Sequence, residues 1–249
     1  MSEDIKLEVK NLTMSYGSYV VMNDLSFSVK RSEIFLIVGG SGCGKSTLLK
    51  YLIGLKRCPR GTVFYDDTDI CNSSNRESMY KKMGVLYQSG ALWSSMTIAE
   101  NIALILEEYS LLSKKDIERM VHLKLALVGL DGFEDFYPAQ LSGGMKKRAG
   151  LARALALDPE ILFLDEPSAG LDPVSAAKLD ELILKIRTNF GTTIIAVTHD
   201  LDSIFKIGDR IAYLDAASKT LLAVGKPNTL KNAKHNLKVA NFLSREYTA

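Results

Sequence analysis

Glu33 to Leu55 reads EIFLIVGGSGCGKSTLLKYLIGL, and this stretch decides the fold. Ile34–Val38 is a short, wholly apolar run of the kind that forms a strand buried on both faces. Lys45–Leu55 has helical character, and the residues between are rich in glycine. Strand, glycine-rich turn and helix in that order form half of a crossover unit. The turn, Gly39-Gly40-Ser41-Gly42-Cys43-Gly44-Lys45-Ser46-Thr47, satisfies G-x-x-x-x-G-K-[ST]. A phosphate group concentrates negative charge on a tetrahedron of oxygens. It therefore needs convergent N–H donors, a backbone that can approach closely and a cation. Glycine permits the approach, the loop and helix N-terminus supply the donors, and Lys45 supplies the charge. Ser46 is placed to ligate Mg²⁺ and Thr47 to reach a phosphate oxygen. A dinucleotide fingerprint fails, because the third glycine position after Gly42 and Gly44 is Thr47.

Working outward, Val85–Tyr87, Ile161–Leu164 and Thr193–Val197 read as further buried strands alternating with helical patterns. This argues for a mainly parallel sheet, as in an α/β P-loop NTPase core of the RecA-like kind. Ile5–Val29 alternates apolar and polar residues around Tyr16-Gly17-Ser18, which predicts an antiparallel β subdomain with one solvated face. From Thr97 to Gly132 apolar residues recur at helical spacing, with Ser113 and Asp116 as a capping box and Gly129 as a stop. The expectation is one domain over residues 1–249, with a helical insert at about 90–157. The tail, 225–249, reads as a terminal helix with a stripe at Leu237, Ala240 and Leu243.

Composition bounds the rest. The 249 residues are 47% hydrophobic and 24% charged, which excludes disorder, collagen and coiled coil. Thirty-one Lys+Arg against 29 Asp+Glu leave +2, too near balance for nucleic-acid attraction as the main activity. No apolar run approaches the roughly 20 residues that cross a bilayer, and MSEDIKLEVK has no signal core. Cys43, Cys58 and Cys71 match neither CxxC nor zinc spacing, so reduced thiols without a shared role are expected.

Two further sites carry chemistry. Ile161-Leu162-Phe163-Leu164 ends in Asp165-Glu166, and successive residues at a strand end point to opposite sides. Asp165 can hold a magnesium shell while Glu166 faces a water lined up with a γ-phosphate. Leu141-Ser142-Gly143-Gly144-Met145 is a second glycine-rich helix start bearing a hydroxyl, without a lysine of its own. The following Lys146, Lys147 and Arg148 read as a solvated helix face, His122 and His235 as solvated, and Cys43 as a filler in the loop.

In these motifs the sequence resembles the nucleotide-binding subunits of ABC transporters, in the right order over essentially the whole chain. The resemblance implies that Tyr16 stacks on adenine, Gly39–Thr47 hold the phosphates of ATP, and Gln88 contacts Mg²⁺ or water and senses a transmembrane permease. It also implies a signature motif at Leu141–Met145, a D-loop at Ser168–Asp172 and a switch histidine, His199. Two copies would pair head to tail, each phosphate loop facing the other's Ser142-Gly143-Gly144. Glu166, His199 and Gln88 would be catalytic, Tyr16, Gly39–Thr47, Ser142, Gly143, Gly144 and Asp172 would bind ATP, and Ser46, Gln88 and Asp165 would hold Mg²⁺. The permease would dock near Ser89–Trp93, with Trp93 either a coupling contact or a buried anchor.

Gln88-Ser89-Gly90-Ala91-Leu92-Trp93, Met145 in LSGGM and DEPSAGLDP at Asp165–Pro173 further resemble the Mla (Mce-associated) lipid-transport ATPases. That implies phospholipid movement between inner and outer membranes, at the cytoplasmic face of the inner membrane. A permease, a membrane-anchored lipid-binding subunit and a small cytosolic regulatory subunit would be partners. The alternatives are another ABC importer or exporter, or a soluble non-transport ABC protein.

Overall fold

The computed structural model describes residues 5–72, 74, 76–233 and 236–245. Its centre is a six-stranded sheet in the order β10-β9-β3-β8-β7-β6. Strands β6 (Met83–Leu86), β7 (Ile161–Asp165), β8 (Thr193–Val197), β3 (Ile34–Gly39) and β9 (Arg210–Asp215) run parallel, and β10 (Thr220–Gly225) closes one edge antiparallel. A four-stranded antiparallel sheet, ordered β2-β1-β4-β5, covers one side. It comprises β1 (Ile5–Tyr16), β2 (Tyr19–Lys30), β4 (Val63–Tyr65) and β5 (Thr68–Asp69), with Gly17 in the left-handed region at the β1–β2 turn.

The parallel strands alternate sides between two cores. Leu36, Leu162, Leu164 and Ile194 face the helical side, where they pack with α3 (Ile98–Tyr109), α4 (Lys114–Leu127), α5 (Gly143–Ala154), α6 (Pro173–Phe190) and α7 (Leu201–Ile207). Phe35, Ile37, Ile161, Phe163 and Ile195 face the antiparallel sheet and α1 (Lys45–Leu52). Each neighbour in β3 thus contributes to a different core, as period-two geometry requires of a strand covered on both faces.

Local signals set the helix ends. Thr97 caps α3 reciprocally with Glu100, and Asp172 caps α6 ahead of Pro173; each cap contributes about 1 kcal/mol. Ser113 accepts from the Asp116 N–H at α4, and Gly129, at φ +67°, follows its end. Among the described residues the other α-helices are α2 (Arg76–Tyr80), α8 (Pro227–Lys231) and α9 (Leu237–Ser244).

Several expectations need correction. Tyr87 lies beyond β6, which starts earlier, at Met83. The first helix stops at Leu52, short of Leu55, with Gly54 at φ +71°. In the tail Val239 and Leu243 are buried while Leu237 is 66% exposed, because helix α9 presents the 239/243 edge to the body. The Lys146–Arg148 run is not a solvated face. Lys147 is buried, and the Arg148 guanidinium donates to the carbonyls of Val128 and Gly129. Cys58 and Cys71 are joined in a disulfide across the β4–β5 hairpin, with Cα atoms 5.3 Å apart; chain folding, not sequence spacing, brings them together. Cys43 is a buried free thiol. His122 is exposed, its Nδ1 3.3 Å from Glu134, and His235 lies outside the described residues.

Candidate functional site

Parallel strands deliver their C-terminal ends to one edge of the sheet. Because β3, β8 and β7 are neighbours, the glycine-rich loop, His199 and Asp165-Glu166 emerge side by side. A cavity of about 530 Å³ lies there, lined by Tyr16, Ser41, Lys45, Thr47, Glu166 and His199 among others. A second cavity, about 640 Å³, adjoins it through Glu166 and His199.

The loop wraps tightly. Gly39 adopts φ +145°, and a Cβ there would sit 2.3 Å from the Leu214 carbonyl oxygen; Gly44, at φ +92°, would meet Val21 at 2.8 Å. Lys45, 8% exposed, sits under the loop and donates from Nζ to the carbonyls of Gly39 and Gly40, each at 3.0 Å. The Cys43 side chain is buried in the core beneath and does not line the cavity; burial pushes its thiol up, against the pull of Lys45. Ser41, Gly42 and Ser46 are exposed on the cavity side.

Asp165 is the last residue of β7 and Glu166 follows it outside the strand, each with its own partner. The Ser46 hydroxyl donates to Asp165 Oδ1 at 3.1 Å. Burial raises the Asp165 carboxyl, and Ser46 holds it back. Glu166 sits at φ +47°, an uncommon conformation for a side chain of this size, secured by its N–H to the Val197 carbonyl. Its Oε1 is 3.2 Å from His199 Nδ1. Lys147, absent from the candidates, donates from Nζ to the Glu166 carbonyl at 3.1 Å. Burial lowers its ammonium, while Asp165 and Glu166 act as its counter-charges. Its place beneath Glu166 depends on how α5 docks, which no local pattern encodes.

Tyr16 is half exposed at the cavity mouth, its hydroxyl 3.4 Å from Thr47 Oγ1, which lowers the phenol. Lys56 Nζ lies 3.2 Å from its ring centroid. Gln88 stands exposed in the turn after β6, and no hydrogen bond among the described residues ties it to Ser46 or Asp165. Buried Asn101 holds the following turn by bonds to the Trp93 N–H and carbonyl, leaving Trp93 57% exposed. Ser142 caps α5, accepting from the Met145 N–H, with Gly143 exposed beside it; Ser142, Gly143 and Gly144 line neither cavity. The Asp172 carboxylate is engaged by the N–H groups of Val174 and Ser175.

Fold and site define a P-loop NTPase with a second glycine-rich helix start outside its own pocket. The chain matches the ABC transporter family over residues 22–169 and belongs to it, as an ATP-binding ABC ATPase domain. Within that family it is 40% identical over 242 residues to the intermembrane phospholipid transport system ATP-binding protein MlaF of Haemophilus influenzae, covering 96% of this chain and 90% of that protein. It is 43% identical over 212 residues to the probable ribonucleotide transport ATP-binding protein mkl of Mycobacterium tuberculosis, covering 84% of this chain. The chain spans only 59% of that relative's length. Among solved structures, the dimeric post-hydrolysis state of the ATP-binding cassette MJ0796 bound to ADP and Pi superposes with TM-score 0.78 at 28% identity, over 88% of this chain and 98% of that one. Among the described residues no helix is long and apolar enough to cross a membrane.

Proposed function

We propose that the chain is the ATP-hydrolysing subunit of an ABC transporter that moves phospholipid between the inner and outer membranes. It acts as a single nucleotide-binding domain, with a helical subdomain at about 90–157, at the cytoplasmic face of the inner membrane. Two copies pair head to tail. Each phosphate loop then faces the partner copy's signature motif, the arrangement suggested by a Ser142-Gly143-Gly144 helix start that lies outside this chain's own cavity.

The residues divide the work of ATP + H₂O → ADP + phosphate. Tyr16 offers a ring for the adenine. Gly39–Thr47 hold the phosphates with main-chain N–H groups, and Lys45 neutralises the β- and γ-oxygens. Ser46 and Asp165, whose oxygens already meet, fit a hard divalent cation, and Gln88 completes that set. Mg²⁺ there supplies charge neutralisation of the phosphates. Glu166 polarises the attacking water, and His199 holds the γ-phosphate while bonded to Glu166. Catalysis rests on positioning and electrostatics. Asp172 shapes the D-loop by capping α6.

The observation that carries the cargo is the near full-length match to MlaF. By the same likeness the partners are a permease docking at Ser89–Trp93, a membrane-anchored lipid-binding subunit and a small cytosolic regulatory subunit. Affinity purification from membranes, with identification of co-purifying subunits and lipids, tests this. A permease recovered without a lipid-binding companion, or with ribonucleotide as cargo, overturns the lipid reading and leaves the ATPase intact. Mixing Lys45→Ala with Ser142→Arg chains tests the dimer. Head-to-tail pairing regenerates one intact site per mixed dimer and restores turnover, whereas sites contained in one chain leave the mixture dead.

A further inference from the structure

Behind the His199 loop lies a buried polar group that the reaction outlined above does not use. Ser203, 3% exposed on α7, places Oγ 3.0 and 3.1 Å from the two carboxylate oxygens of Asp180 and 3.1 Å from Asp200 Oδ2. Asp180 is 4% exposed in the middle of α6. Asp200 follows His199 directly and organises the turn there: its N–H donates to Thr198 Oγ1, its Oδ1 accepts from the Asp202 N–H, and its carbonyl accepts from the Ile204 N–H.

A hydroxyl has one proton to give, and three carboxylate oxygens surround this one. Two ionised carboxylates on a single buried hydroxyl repel each other and leave acceptors unmatched. The contacts are satisfied when one carboxyl carries a proton and donates it back to Ser203 Oγ, so that both acids are joined through the serine.

We infer that Asp180 is a positioning residue for His199, clamping the β8–α7 loop to α6 through Ser203 and Asp200 by means of a shared proton. The inference rests on the reading of His199 as the γ-phosphate contact. It makes the catalytic loop and the D-loop helix one mechanical unit, since α6 is the helix that Asp172 caps. Burial raises the Asp180 carboxyl, and Asp200 and Asp202 push the same way against Ser203 and Lys206. The charged groups around it are Asp200, which caps α7, and Asp202 and Lys206 on α7, with Lys206 also held by the Ala177 carbonyl and Glu181, and Asp202 by Arg245, just past α9. Helix α5 meets α6 through Gly144 and Ser175.

Steady-state ATPase kinetics of the full chain provide the test. Asp180→Ala and Ser203→Ala should lower kcat between about ten- and a hundred-fold with KM for ATP unchanged, as for a displaced group that acts late. Asp180→Asn, whose amide can donate to Ser203 Oγ as the carboxylic acid does, should retain kcat. A folded Asp180→Ala chain with parental kcat overturns the inference, as does a folded Asp180→Asn chain as impaired as Asp180→Ala. His199→Ala separates the two readings. If it turns over normally, the role of His199 fails and this inference with it. If it is inactive while the Asp180 and Ser203 variants are silent, the clamp alone fails.

Discussion

Ser46 Oγ and Asp165 Oδ1 are 3.1 Å apart although 119 positions separate the residues in sequence. One lies in the first turn of helix α1 and the other ends β7, so the hydrogen bond joins the phosphate loop to the acidic strand. Two hard oxygen donors at that spacing suit a divalent cation. Replacing Asp165 by Asn should abolish the Mg²⁺ dependence of ATP affinity while leaving the fold intact, as measured by nucleotide titration with and without Mg²⁺.

Glu166 is held by its main chain, through Val197, and not by its carboxylate alone. Glu166→Gln should therefore keep ATP affinity within about two-fold while lowering kcat by at least about a hundred-fold, the scale of a lost general base. Because ATP is bound and not spent, size-exclusion chromatography with ATP should show the dimer accumulating.

Lys147 is the counter-charge beneath two carboxylates. Lys147→Met keeps the length of the side chain but strands the Glu166 carbonyl and removes the cation. Loss of a buried, charged hydrogen bond should cost about 1–3 kcal/mol of stability, read from urea unfolding, and turnover should fall with it.

These residues show how far the sequence is legible. The phosphate loop and the Asp165-Glu166 pair can be read because each is a contiguous pattern whose geometry follows from strand, turn and helix. The β1–β2 hairpin is legible for the same reason. Lys147 and the Cys58–Cys71 pair are not. A lysine in a basic run is buried or solvated according to the helix face that docks, and a disulfide between residues 13 apart depends on the hairpin that closes between them. Asp180 is equally hidden, since its partner hydroxyl comes from another helix.

That disulfide offers a stability prediction. Cross-linking a loop of this size contributes about 3 kcal/mol by restricting the unfolded chain. Thiol reductant, or Cys58→Ser, should lower Tm measurably, and reductant should have no additional effect on the Cys58→Ser chain.

Asp215 gives a pH signature. Burial alone would raise its carboxyl, but hydrogen bonds from Lys238 and Ser218 outweigh it and pull the group down to about 2 from 3.8. A carboxyl depressed on folding stabilises fully above its unfolded value, and this contribution is lost as pH falls from 3.8 towards 2. Since Lys238 is half exposed, the contribution is on the order of 1 kcal/mol. Lys238→Met should lower Tm at neutral pH and reduce the loss between pH 3.8 and 2, measured by thermal melts.

The adjacency of β3, β8 and β7 carries one more consequence. Their loop ends are riveted to a plate packed on both faces, so the distances among the phosphate loop, Glu166 and His199 have little freedom to vary. Under the proposed function, movement that reports nucleotide state to a permease would arise where no strand holds the chain, in the Gln88 turn and the helices beyond it. On that reading the molecule is divided into an anvil that does the cutting and a lever that transmits it.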